Sequence, residues 1–116
     1  MDFGSHVRRL REQRREVNRR YSVRQTAQRI GVEPAYLSKI ERSDVPPPSE
    51  ETIRRLAADL GEDADLLLAL AGKVSTDLRE IIMQRPILFA ELIRGLSDIP
   101  DDELAVLVRK VRNGEW

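Results

Sequence analysis

The 116 residues fit one domain or two small ones, and 41% hydrophobic residues with only 4% aromatics imply a core of Leu, Ile, Val and Ala. The absence of cysteine excludes disulfides, thiolate-bound zinc and thiol catalysis, and the single His6, expected on the surface, cannot build a metal site. A net charge of zero hides a division, +6 over residues 1–42 against −6 over residues 43–116, so the N-terminal part suits a polyanionic partner.

The first predicted helix covers about residues 3–18. Phe3, Val7, Leu10 and Val17 share a stripe that Arg14 interrupts, which lays the Arg14 stem along the core with its head in solvent. Residues 22–42 then read as two short helices about a tight turn. Ser22 is a good N-cap, because its hydroxyl satisfies an orphan backbone N–H of the first turn. Val23, Thr26, Ala27 and Ile30 recur at helical spacing, and Gly31 ends the helix in a left-handed conformation without a Cβ penalty. Val32 resumes the apolar pattern, Pro34 suits the first turn of a second helix over about residues 33–43, and Leu37 and Ile40 mark its buried face. This is the helix-turn-helix layout, whose second helix lies in the DNA major groove.

Pro46-Pro47-Pro48 form a stiff connector, since proline fixes φ and cannot continue a helix. The fourth predicted helix starts from the N-cap Ser49, buries Ile53, Leu56, Ala57 and Leu60, and closes at Gly61. A fifth runs from near Asp63 to Gly72 with Leu66, Leu67 and Leu70 inward, leaving Leu68 to meet the C-terminal segment.

Residues 73–116 carry three more helical stripes: Leu78, Ile81 and Ile82, then Leu88, Phe89, Leu92, Ile93 and Leu96, then Leu104, Leu107, Val108 and Val111. So short a segment buries too little surface to stand alone, and no cysteine or metal ligand set can staple it. Dimerisation through Leu88, Phe89, Leu92, Leu104, Leu107, Val108 and Val111 is the expected solution, and packing back on the fifth helix as a cap is the alternative.

Ala27, Gly31, Val32, Leu37, Ser38, Ile40, Glu41 and Arg42, with the proline loop and the runs Ser49–Ile53, Leu56–Gly61 and Asp65–Leu67, carry a family resemblance. Over roughly residues 3–70 the chain resembles the lambda-repressor-like (Cro/C1-type, XRE) helix-turn-helix regulators. With the C-terminal stripes, this implies an all-α chain: a five-helix DNA-binding domain over residues 1–72, then a three-helix dimerisation segment over residues 73–116. The resemblance places base-reading side chains at Pro34, Ala35, Tyr36, Ser38 and Lys39. Relatives often carry polar residues where Pro34 and Ala35 stand, so these two suit close approach and a thymine methyl instead. Phosphate contacts are expected from Arg24 and Gln25 at a helix N-terminus, and from Arg42. Arg19 and Arg20 sit in a connection longer than the family's usual one, either near phosphate or in an exposed loop without contact.

The function expected is a sequence-specific DNA-binding transcriptional regulator, a homodimeric repressor on a palindromic operator in double-stranded DNA. The alternative is an antitoxin or phage-type switch whose C-terminal half binds a protein partner such as a toxin. Some short repressors of similar layout are inactivated by a partner peptidase, a resemblance of architecture only. With no nucleophile–base set, metal cluster or phosphate loop, neither an enzyme, a cofactor nor a metal site is expected. No apolar run approaches the ~18 residues of a membrane span and the N-terminus lacks a signal-peptide core, so no membrane partner and a cytoplasmic location are expected.

Overall fold

A computed structural model describes residues 2–116, whose regular elements are all helices. The chain divides into two compact units, one ending at Ser75 and the other comprising Thr76–Trp116.

The first unit holds α1 (Phe3–Arg15), a 3-10 turn (Arg19–Tyr21), α2 (Val23–Ile30), α3 (Pro34–Glu41), α4 (Glu50–Leu60) and α5 (Ala64–Leu70). Side-chain caps open four of these helices. Asp2 Oδ1 accepts from the Ser5 N–H at 2.7 Å, Ser22 Oγ from Gln25 at 3.2 Å, Ser49 Oγ from Thr52 at 3.3 Å, and Asp63 Oδ1 from Asp65 at 2.7 Å. α3 instead begins with Pro34 after Glu33, whose side chain makes no capping bond. Between α2 and α3 the chain turns at Gly31, φ +78°, and the Val32 N–H donates back to the Ala27 carbonyl at 3.0 Å. That turn fixes the angle at which α3 leaves α2.

α3 packs against both α1 and α2, while α4 supports α2 and carries α5. Phe3, Val7, Ala27, Ile30, Leu37, Ile40, Ile53, Leu56, Ala57, Leu60, Leu67 and Leu68 form one buried cluster among these helices. α1 approaches the end of α3 so closely that a Cβ on Gly4 would collide with the Ile40 carbonyl oxygen. Only glycine fits there.

Three expectations from the sequence are corrected. α1 ends at Arg15, not near residue 18, and Val17 is 90% exposed rather than part of the apolar stripe. Arg14 is exposed, and its guanidinium lies over the Tyr21 ring and beside Gly61. The buried cation of α1 is Arg11, and it is buried because Glu41 neutralises it. His6 is buried rather than solvated, with Nε2 3.4 Å from a Glu62 carboxylate oxygen and Nδ1 3.1 Å from Arg9. In α5, Leu68 faces the core with Leu67 while Leu66 is exposed, because the arc turned to the core is Ala64, Leu67, Leu68 and Ala71, at helical spacing.

The second unit holds α6 (Thr76–Gln84), α7 (Pro86–Gly95) and α8 (Asp101–Arg112). Pro86 both ends α6 and opens α7, as its fixed φ and missing N–H require. α6 packs against α7, but no comparable packing joins α8 to either of them. No residue from Thr76 to Trp116 is buried. Leu88, Leu92, Val108 and Val111 are exposed, whereas Phe89, Leu104 and Leu107 are half-buried. Among the described residues no helix is long and apolar enough to cross a membrane.

Candidate nucleic-acid interface

α3 has two chemically distinct faces. Leu37 and Ile40 enter the core, and Glu41 beside them is 5% exposed. On the other side Ala35, Tyr36 and Lys39 are exposed, and Pro34 and Ser38 are half-buried at its edges. Neither Tyr36 nor Lys39 is engaged by another side chain of the first unit, so the phenol and ammonium are available to a ligand. An eight-residue helix held by Leu37 and Ile40 has little freedom to roll, so this outer face is fixed relative to α1 and α2.

The ion pair behind α3 sets its position. Arg11 Nε donates to Glu41 Oε2 at 2.7 Å and its second terminal nitrogen donates to Oε1 at 2.8 Å, a two-pronged match of planar groups. The remaining terminal nitrogen donates to the Tyr21 carbonyl at 3.1 Å. One side chain of α1 therefore ties down both the end of α3 and the turn that precedes α2. The Glu41 hydrogen bonds, with its charge, hold the Arg11 guanidinium above its ordinary pKa, despite an opposing contribution from burial.

The segment between α1 and α2 is similarly fixed. The Tyr21 hydroxyl donates to the Asp59 carbonyl at 3.3 Å, and Arg29 stacks over its ring at 4.8 Å. Arg29 also donates to both Asp59 carboxylate oxygens, at 2.6 and 3.0 Å, and to the Arg20 carbonyl at 2.6 Å. Asp59 keeps the Arg29 guanidinium above its ordinary pKa, chiefly through these hydrogen bonds. Arg29 is thereby a structural cation. Arg19 and Arg20 lie on the 3-10 turn with their side chains exposed.

Eight of the eleven basic residues of the N-terminal part fall into two groups; of the others, Arg9 meets His6, Arg14 lies over the Tyr21 ring and Arg15 is exposed. Arg8 pairs with Glu12, Arg11 with Glu41, Arg29 with Asp59, and Arg42 with Asp44 at 2.9 Å. Arg24, Lys39, Arg19 and Arg20 are in none of these pairs and remain exposed. Arg24 and Gln28 of α2 share one surface depression with Val32 and Pro34, which places a free guanidinium beside the start of α3. Gln25 is exposed in the first turn of α2, next to the positive end of that helix. A second cleft joins Arg8, Val23, Ser38 and Arg42 above the buried Arg11–Glu41 pair. An outer helix face with a phenol and an ammonium, flanked by a helix N-terminus with a guanidinium, is chemically suited to base edges and flanking phosphates.

Two features of this site escape a reading of the sequence. The Arg11–Glu41 pair leaves only a faint trace, in that each charge lies four residues after a core residue, Val7 and Leu37, on an otherwise buried stripe. The Arg42–Asp44 pair leaves no such mark. A family model described as a helix-turn-helix domain matches residues 2–70. The chain belongs to that helix-turn-helix family and is a DNA-binding regulator by class. Searches of curated proteins and of solved structures returned no match.

Proposed function

We propose that the chain is a sequence-specific transcriptional regulator of the lambda-repressor-like, Cro/C1 kind, and that it represses promoters by binding a palindromic operator as a homodimer. α3 enters the major groove, where Tyr36 and Lys39 read base edges while Pro34, Ala35 and Ser38 permit close approach. Arg24 and Gln25, at the positive end of α2, hold a phosphate, and Arg42, Arg19 and Arg20 add charge along the backbone. The single observation supporting this reading is the sorting of charges. Arg11 and Arg29 are committed to ion pairs within the fold, whereas Arg24 and Lys39, beside and on the outer face of α3, have no such partner and are left for a polyanion.

Two copies are needed because one eight-residue helix reads only a few base pairs, and the apolar residues of α7 and α8 are left uncovered in a single chain. Joint engagement of two half-sites raises affinity through effective concentration. Selection from random duplex DNA by the purified chain tests the proposal. It should enrich a two-fold related motif whose half-sites lie about 34 Å apart, one helical turn. Enrichment of no motif, with binding that depends only on salt, would leave a nonspecific DNA-binding protein.

A further inference from the structure

α8 lacks packing comparable to that of α6 on α7, and its surface is complementary to itself. A shallow apolar groove of about 420 Å³ runs along it, lined by Asp101, Leu104, Ala105, Val108, Arg109 and Arg112. The helix carries Asp101, Asp102 and Glu103 in its first turn and Arg109, Lys110 and Arg112 in its last. That order suits the helix's own dipole, and it also leaves the apolar groove with an acid at one end and bases at the other. The six lining residues pair off about the helix midpoint: Asp101 with Arg112, Leu104 with Arg109, and Ala105 with Val108. A two-fold axis through that midpoint therefore maps the lining set onto itself.

We infer that α8 pairs antiparallel with α8 of a second copy of this chain, each Asp101 meeting the other copy's Arg112. This deepens, and rests on, the homodimer of the preceding subsection. Ala105 and Val108 lie nearest the axis, and their small size allows the two helices to approach closely. The aliphatic stem of each Arg109 covers the opposite Leu104 while its guanidinium stays in water. A parallel pair is disfavoured, because it sets acid against acid at one end and base against base at the other. The occupant is another copy rather than an unrelated helix because the groove's charge order is the reverse of itself, the condition for an isologous contact. Covering this groove also supplies burial to a unit in which no residue is buried within one chain.

The natural chain has no cysteine, so introduced thiols give a clean test. Asp101→Cys and Arg112→Cys chains are prepared separately, then oxidised alone and as a mixture. The two positions lie about 16 Å apart along one helix, at 1.5 Å per residue. Each chain then holds one thiol, and in an antiparallel pair like positions sit at opposite ends of the seam, beyond the roughly 7 Å Cα limit of a disulfide. The mixture should give a covalent dimer and neither chain alone should. The mixed pair also keeps one native Asp101–Arg112 contact at its other end. A covalent dimer from Asp101→Cys alone would mean a parallel seam and overturn the inference. No covalent dimer in any sample, with the chains still dimeric by light scattering, would place the interface elsewhere and overturn the seam while leaving the homodimer. An unmodified chain that is monomeric by light scattering would remove both. As a check independent of thiols, Arg112→Asp should weaken self-association at least about tenfold, and mixing with Asp101→Arg chains should restore it. Failure of the mixture to recover, with both chains helical by circular dichroism, would also overturn the pairing.

Discussion

Arg11 of α1 and Glu41 of α3 form a two-pronged ion pair at 2.7 and 2.8 Å in which both side chains are nearly shut off from solvent. Desolvating two charges is costly, and the match of guanidinium to carboxylate, with the third bond to Tyr21, offsets that cost. The contact is therefore poor evidence for added stability but strong evidence for a fixed arrangement. It couples the end of α3 to α1.

Removing one partner strands the other charge. Glu41→Leu should destabilise the first unit by about 3–5 kcal/mol, and the Arg11→Met/Glu41→Leu double variant should recover most of that loss. Urea unfolding of the three proteins checks this. A double variant as unstable as the single would mean that the pair contributes net stability and not only position.

Gly4→Ala should cost about 1–3 kcal/mol, because the added methyl meets a backbone carbonyl that cannot rotate away. The same change should lower DNA affinity more than its exposed neighbour Ser5→Ala does, since relief of the clash moves the end of α3. Thermal unfolding and operator titration on both variants measure the two effects.

The pairing of Arg42 with Asp44 makes the positive charges unequal. Arg24→Ala should reduce the slope of log affinity against log salt by about 0.9, the loss of one phosphate contact. Arg42→Ala should change it less, and Asp44→Ala should tighten binding by freeing Arg42. Equal slope changes for Arg24→Ala and Arg42→Ala would argue that the surface pair dissolves on binding.

Asp2 caps α1, and its hydrogen bond from the Ser5 N–H holds its pKa below 3.8. A depressed folded-state pKa means that its contribution is present above the unfolded value and is lost as pH falls through the folded one. Wild-type and Asp2→Asn stabilities should therefore differ near neutral pH and converge in strong acid. A difference independent of pH would show that the cap acts without its charge.

The framework of the first unit was legible because its signals are local. Ser22, Gly31, Ser49 and Gly61 end helices by their own chemistry, and the spacing of Ala27, Ile30, Leu37 and Ile40 is the periodicity of a helix packed on one side. What was not legible depends on partners distant in sequence. Arg11 and His6 look like surface residues until Glu41 and Glu62 stand beside them. Val17 looks apolar enough to bury, yet α1 ends before it, and the chain turns to deliver Tyr21 to Asp59 instead. In the second unit three helices were readable from their stripes, but half-buried Leu107 and exposed Val108 are adjacent on one stripe, and periodicity does not distinguish them.

The most direct test of the account is to run duplex selection in parallel with the wild-type chain, Lys39→Ala and Arg24→Ala. If α3 reads bases through Lys39, its loss should relax the motif at the positions under α3, with discrimination falling by about 1–3 kcal/mol. Arg24→Ala should return the wild-type motif with uniformly weaker binding. An unchanged motif for Lys39→Ala, or a motif altered only by Arg24→Ala, would contradict the assignment of α3 as the reading helix.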